Sequence, residues 1–282
     1  MEGAQRVGSV MQDARNRLRS VSDTPWMDVQ LLLAHISGLT REELLAHPDH
    51  LLHEDETALM EDLVTRCMGG TALPYLLGWW EFYGRRFHIT PDVLIPRPET
   101  ELLVEHALSA VPGDKAARVL DVGTGSGIIA ATLLLERPSW HAAAVDRYRS
   151  ALQAAAINRR RYSLETRMAL VQGDLAAGLC GGFDLVCANL PYIPSAKLPE
   201  LAVAAREPHH ALDGGEDGLD LVRRLLLDLP RLLRRGGTAL LEIGAGQGAD
   251  ALSFVSANLE TMVASIVEDL AGRDRLLEIG ML

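Results

Sequence analysis

The chain has 282 residues, 48% of them hydrophobic and 23% charged, which is ordinary globular usage and enough for about two domains. That composition excludes a disordered, collagen-like or coiled-coil chain. The formal net charge of −11 argues against a protein whose main task is to neutralise nucleic-acid phosphates, although it leaves room for a local basic groove.

Residues 1–73 read as a small helical bundle. Val7, Val10, Met11, Ala14 and Leu18 recur at helical spacing. Residues 28–36 form a short apolar helix that Gly38 can end. Thr40 and Glu43 have the spacing of a capping box, so a helix should start there. A further helix is expected over 55–68, with Leu59, Leu63 and Cys67 on one face and Gly69-Gly70 stopping it. Residues 74–98 change character. They hold Trp79, Trp80, Phe82, Tyr83 and Phe87, five of the chain's thirteen aromatic residues. They are expected to form a linker, with 82–87 and 89–95 pairing as a hairpin and the aromatics packing between two domains.

Residues 99–282 are expected to form the second domain, and from Arg118 the pattern alternates between strand and helix. Strands are expected at 118–122, 142–145, 169–171, 183–188, 238–243, 262–268 and 275–279, and helices at 127–135, 149–159, 219–233 and 250–259. Such alternation predicts an α/β domain with a mostly parallel, doubly wound sheet covered on both faces. Cys67, Cys180 and Cys187 include no CxxC pair, which speaks against a disulfide framework or a Cys-rich zinc site and fits a reducing compartment. His209 and His210 are adjacent and lack ligand spacing, so no metal site is expected. Arg159 to Arg161 and Arg234-Arg235 read as solvated helix ends. The first residues carry no apolar signal-peptide core, and no stretch reaches the ~18 apolar residues of a membrane span.

The first chemical constellation is the loop Gly123-Thr124-Gly125-Ser126-Gly127, which follows a strand and opens a helix. Glycines there allow a tight turn and close approach of a ligand. Asp146 follows nineteen residues later, at the end of the next strand, where a carboxylate can accept from both hydroxyls of a ribose. Loop, helix, strand and acid in order point to a nucleoside-containing cofactor. Spacing alone does not separate a dinucleotide from S-adenosylmethionine. Asp121, two residues before the loop, suits a sulfonium and an ammonium better than a diphosphate. Asp174, after the third strand, is either a partner for an adenine amino group, with Leu175 on the ring, or a helix N-cap. A second Gly-rich turn, Glu242 to Gly248, reads as a loop at the pocket edge.

The second constellation is Asn189-Leu190-Pro191-Tyr192, at the carboxyl end of a strand. An amide or aromatic amine nitrogen is a poor nucleophile because its lone pair is delocalised. Asn189 can offer its side-chain oxygen to one N–H and the Leu190 carbonyl can take the other. Together they orient the nitrogen and stabilise the positive charge that builds on it. Pro191 holds Leu190 extended, and Tyr192 can stack on a planar substrate group.

The whole chain resembles the bacterial peptide chain release factor glutamine methyltransferases (HemK family). Besides the two constellations, the markers are Pro74-Tyr75 with Gly78, Glu81-Phe82-Tyr83-Gly84 and Leu94-Ile95-Pro96-Arg97-Pro98-Glu99-Thr100-Glu101. Later markers are Glu207-Pro208, Asp213-Gly214-Gly215, Asp217-Gly218-Leu219, Glu242-Ile243-Gly244 with Gln247, and Asp269 to Gly272 with Arg275. The resemblance implies a class I methyltransferase fold preceded by a helical substrate-docking domain, S-adenosylmethionine as cofactor and a cytoplasmic enzyme. It implies methylation of the glutamine side-chain nitrogen in the Gly-Gly-Gln motif of class I release factors, with no nucleic acid or membrane as partner. By position, Gly123, Thr124, Gly125, Ser126, Gly127, Asp146, Asp174, Leu175 and Asn189 would hold the cofactor. Asn189, Leu190, Pro191 and Tyr192 would form the glutamine pocket, with Asn189, Pro191 and Tyr192 catalytic. The family usually has proline where Leu190 stands, and leucine keeps the carbonyl that the chemistry needs. An exocyclic adenine amine or a ribosomal-protein glutamine would suit the same acceptor motif.

Overall fold

A computed structural model describes residues 5–113 and 115–282. The chain divides into two compact units, Met1–Gly78 and Trp79–Leu282.

The first unit contains β1 (Gln5–Arg6), α1 (Val7–Leu18), α2 (Pro25–Ser37), α3 (Arg41–Ala46), β2 (Leu51–Leu52), α4 (Glu54–Met68) and α5 (Leu73–Leu77). The five apolar residues named in α1 are all buried. Gly38 ends α2 in the left-handed conformation, and its N–H donates to the Ala34 carbonyl. The capping box opening α3 is present in both halves: Glu43 N–H donates to Thr40 Oγ1 at 3.2 Å, and Thr40 N–H to Glu43 Oε2 at 2.8 Å. The buried face of α4 is Met60, Leu63, Val64 and Cys67, whereas Leu59, expected inside, is 45% exposed. The stripe is rotated because Met60 and Val64, one position on from Leu59 and Leu63, are the residues at i, i+4 that meet the bundle.

The second unit opens with a hairpin of β3 (Trp79–Phe82) and β4 (Arg85–His88). The expected strand 82–87 is therefore cut in two. Tyr83 and Gly84 both take positive φ, as a two-residue turn matched to strand twist requires, and residues 89–95 form no strand. Phe82 and Phe87 belong to the core of this unit, packed with Leu103, Val104 and Ala107.

Next come α6 (Glu99–Ala110), β5 (Arg118–Val122), α7 (Ile128–Glu136), β6 (His141–Asp146), α8 (Arg149–Arg161), β7 (Met168–Gln172) and β8 (Phe183–Asn189). After short 3-10 turns follow α9 (Asp220–Leu232), β9 (Leu233–Glu242), α10 (Gly248–Asn258), β10 (Met262–Glu268) and β11 (Asp274–Met281). The seven-stranded sheet has the order β10-β11-β9-β8-β5-β6-β7. The ladders from β7 to β9 are parallel, and β11 runs antiparallel to both neighbours. Strand alternation divides the core. Leu120 and Val122 face α9 and α10, while Val119 faces α6 and α7. Arg234 and Arg235, expected at a helix end, begin β9, where Arg234 pairs with Asp184. Among the described residues no helix is long and apolar enough to cross a membrane.

Strand order reverses between β5 and β8, so their carboxyl ends open the crevice where ligands of such sheets bind. The Gly-rich loop follows β5 and the Asn189 loop follows β8.

Candidate active site

Two neighbouring cavities lie at that crevice. The first is bounded by Gly123, Gly125, Asp146, Asp174, Leu175 and Pro191, with Val93, Tyr148 and His210 closing it. The second is bounded by Arg97, Tyr192, Ile193 and Val203. Asn189 and Leu190 line both.

The Gly-rich loop is held from beneath. Thr124 N–H donates to the Val145 carbonyl, and its hydroxyl donates to Asp121 Oδ2 at 2.6 Å. Asp121 also accepts from the Ala130 N–H at 3.1 Å, and its Oδ1 is buried without a partner. Burial pushes its carboxyl up to about 6. Asp121 is fully buried under the loop and lines neither cavity. Thr124, Ser126 and Gly127 likewise shape the loop and do not face the cavities. The Ser126 carbonyl accepts from Asn158 Nδ2, and Gly127 packs on Ala155. Asn158, fully buried on α8, also bonds both backbone groups of His88, which ties the hairpin to the loop. Its identity gives no hint of that role in the sequence.

The first cavity fits a nucleoside-bearing cation. Gly125 has φ +56° and open space where a Cβ would stand, so the backbone itself is the wall. Asp146 accepts from the Gly125 N–H through Oδ2 and from the Tyr148 N–H through Oδ1, each at 2.9 Å. Each oxygen keeps a second lone pair for a diol. Leu175, held at φ +50°, and Ala151 supply apolar wall for a ring. Asp174 lines the cavity and is no helix N-cap; its Oδ2 accepts from Arg224 at 2.7 Å. His210 stacks on Tyr148 with ring centroids 4.0 Å apart and lies 3.2 Å from the Asp92 carbonyl. Its role as a wall was not visible from its spacing.

The Asn189 loop is braced from several sides. Asn189 Nδ2 donates to Thr100 Oγ1 at 3.0 Å, and that hydroxyl donates to Glu242 Oε2 at 2.8 Å. Tyr192 Oη is 3.4 Å from Glu242 Oε1. Burial pushes Glu242 up to about 7 and raises the Tyr192 phenol. The loop Glu242 to Gly248 does not line the pocket edge. It sends Gln247 Nε2 to the Tyr192 carbonyl at 3.0 Å and the Asp217 carbonyl at 3.1 Å. Gly218, at φ +86°, lies so close to the Tyr192 carbonyl that a Cβ would approach it to 2.2 Å. Leu190 is buried, with its Cδ2 against Gly123. In the second cavity Arg97 pairs with Glu207, whose other oxygen accepts from the Ile95 N–H at 3.0 Å. Thr100, Glu207, Glu242 and Gln247 are visible in the sequence as family markers, but their partners are far along the chain and their roles were not.

Two family models match the chain: the PrmC N-terminal domain over residues 9–78 and the methyltransferase small domain over 98–206. The release factor glutamine methyltransferase of Nitratidesulfovibrio vulgaris is 38% identical over 275 residues, covering 95% of this chain and 92% of that protein. That of Moorella thermoacetica is 40% identical over 255 residues, 90% of each. Among solved structures, the hMettl16 catalytic domain in complex with the MAT2A 3'UTR hairpin 6 superposes with a TM-score of 0.55 at 16% identity, over 70% of this chain and 75% of that one. A methyltransferase from Pyrococcus furiosus gives 0.54 at 16%, over 71% and 91%. These likenesses show a class I methyltransferase fold. With relatives this similar over nearly its full length, the chain belongs to the release factor glutamine methyltransferase family.

Proposed function

We propose that this enzyme transfers a methyl group from S-adenosylmethionine to the side-chain nitrogen of the glutamine in the Gly-Gly-Gln motif of class I peptide chain release factors. The observation that carries the reading is that Asn189 and Leu190 form the wall between two cavities. The first has the walls for a nucleoside-bearing cofactor, and the second, bounded by Arg97, Tyr192, Ile193 and Val203, receives the glutamine side chain.

S-adenosylmethionine, when bound, supplies an electrophilic methyl carbon. Asp146 would hold its ribose, Gly123 and Gly125 would pass close to its backbone-like end, and Leu175 with Asp174 would flank its adenine. In the second cavity Asn189 Oδ1 and the Leu190 carbonyl each accept one N–H of the glutamine amide. Two acceptors fix the orientation of the nitrogen toward the methyl carbon and offset the positive charge that develops there. Pro191 keeps the Leu190 carbonyl extended into place. Tyr192 packs against the amide as a neutral phenol, because burial and the nearby Glu242 raise its pKa.

The helical unit serves to dock the release factor, with residues 1–73 as docking domain, 74–98 as linker and 99–282 as catalytic domain. All residues lining the two cavities come from the second unit, which leaves the first free for recognition. A protein substrate of the translation apparatus places the enzyme in the cytoplasm, without nucleic acid as a direct partner. The test is incubation with purified release factor and S-adenosylmethionine, followed by peptide mass spectrometry. The expected product is one methyl group on the Gly-Gly-Gln glutamine. Methyl transfer to an adenine with none to the peptide would overturn the substrate assignment.

A further inference from the structure

We propose that Thr100 and Glu242 are positioning residues that decide which end of the Asn189 amide meets the acceptor nitrogen. The proposal deepens the reading of Asn189 as the group that holds the acceptor amide, and rests on it.

An asparagine amide has one accepting end and one donating end, nearly equal in size. Only the oxygen can take an N–H from a substrate amide. With the amide reversed, Nδ2 would face the substrate N–H, donor against donor. Something must therefore fix the rotation of Asn189 before substrate arrives. Thr100 is at hydrogen-bond distance, but a hydroxyl alone fixes nothing, since it can donate or accept.

Glu242 removes that freedom. Its side chain is buried, with 1% exposure, and an ionised carboxylate only accepts. The Thr100 hydroxyl proton is committed to Glu242 Oε2 at 2.8 Å. The Thr100 oxygen can then only accept, and it takes Asn189 Nδ2 at 3.0 Å. The chain carboxylate, hydroxyl, amide has one polarity, and it ends with Asn189 Oδ1 left for the substrate. Among the described residues Glu242 forms no ion pair, because Arg275 is engaged by Asp269 at 2.9 Å and Glu99 at 3.9 Å. A buried acid without an ion partner costs stability that an apolar side chain would not. It is present where the amide needs a polarity.

Protonation removes the fixed polarity of the relay. A neutral Glu242 can donate to Thr100 through Oε2, which releases the hydroxyl proton to turn to Asn189 and the amide oxygen to follow it. The groups facing Glu242 are Glu99 and Thr100 of α6, Tyr192 after β8 and Arg275 of β11. Of these, Arg275 favours the ionised form and Glu99 opposes it.

The full-length enzyme is assayed with S-adenosylmethionine and release factor, comparing wild type with Thr100→Val, Thr100→Ser and Glu242→Gln. Valine keeps the shape of threonine and deletes the hydroxyl. It should lower kcat about 10²-fold while the cofactor Kd stays within about threefold, and serine should restore most of the rate. Wild-type kcat should rise with pH as Glu242 ionises. Glutamine offers an amide oxygen to Thr100 and takes up no proton, so that variant should lose the acid limb. Independently of turnover, a ¹⁵N spectrum should show a hydrogen-bonded Asn189 carboxamide proton, assigned by its loss in Asn189→Asp. That signal should shift in Thr100→Val and persist in Thr100→Ser. A wild-type rate in the valine variant, a serine variant as slow as valine, or an acid limb unchanged in Glu242→Gln would overturn the proposal. If the valine variant does not fold, the glutamine variant's pH profile and the Asn189 signal in Thr100→Ser decide it. If wild type methylates another amine and not the release factor, the substrate reading fails. The valine–serine contrast on that other amine then judges the relay.

Discussion

The Gly125 N–H donates to Asp146 Oδ2 at 2.9 Å. The acid at the end of β6 thus holds the Gly-rich loop as well as facing the cofactor cavity. Two features that are twenty-one residues apart in sequence are one unit in space.

Asp146→Ala should therefore weaken S-adenosylmethionine binding by about one to two decades, since each charge-assisted hydrogen bond contributes about 1.5–3 kcal/mol. Asp146→Asn, which retains one acceptor oxygen, should fall between. Isothermal titration of both variants checks this; wild-type affinity in the alanine variant would remove Asp146 from the site.

Asn189→Ala should fold and bind cofactor while methylating the release factor about 10²–10³-fold more slowly. The Thr100 hydroxyl keeps Glu242 as its acceptor, so no buried donor is orphaned. Peptide mass spectrometry over a time course measures the loss, and near-normal methylation would refute the role given to the amide.

Leu190→Pro keeps the acceptor carbonyl and stiffens the loop, so turnover should survive. The buried Leu190 side chain against Gly123 is partly lost, however, and stability should fall by about 1–2 kcal/mol. Urea denaturation alongside the methylation assay tests both halves. A folded variant without activity would mean that the Leu190 N–H or its side chain has a part in the chemistry.

Glu242 has a raised folded-state pKa, about 7 against 4.5, so the native state binds its proton more tightly than the unfolded state. The stability this provides is complete below pH 4.5 and is lost as pH rises through about 7. Glu242→Gln does not titrate. Relative to wild type it should gain stability between about pH 5 and pH 8, by at most about 3 kcal/mol. Denaturation curves at the two pH values measure the gap, and a gap independent of pH would show that Glu242 is not raised. Asp121, pushed up to about 6, titrates in both proteins and cancels.

Gly123→Ala should be costly. The residue sits at φ +71°, and a Cβ would come within 2.8 Å of Leu190 Cδ2. Left-handed backbone costs an alanine about 1–2 kcal/mol, and displacing Leu190 disturbs the wall shared by the cavities. Cofactor affinity by titration should drop together with thermal stability; an unchanged Kd would separate the loop conformation from binding.

The order of strands and helices from Arg118 onward, the capping box at Thr40 and the two chemical loops were legible because each is local, whereas the helix α6 that carries Thr100 was not expected. They depend on periodicity, on a glycine at a turn, or on a few adjacent residues. The hairpin was misplaced because Tyr83-Gly84 carries its turn with a positive φ on a tyrosine, which propensity does not announce. The buried face of α4 was set by which residues meet the bundle, and Leu59 and Met60 are equally apolar in sequence. Tertiary structure alone brought Glu242, Thr100 and Asn189 together. Their hydrogen bonds span 142 and 89 positions, and only the packing of α6 across the ends of β8 and β9 closes that distance. The sequence determined which groups the chemistry has available, and the fold determined which way the amide of Asn189 turns, because hydrogen-bond polarity exists only between groups already in contact.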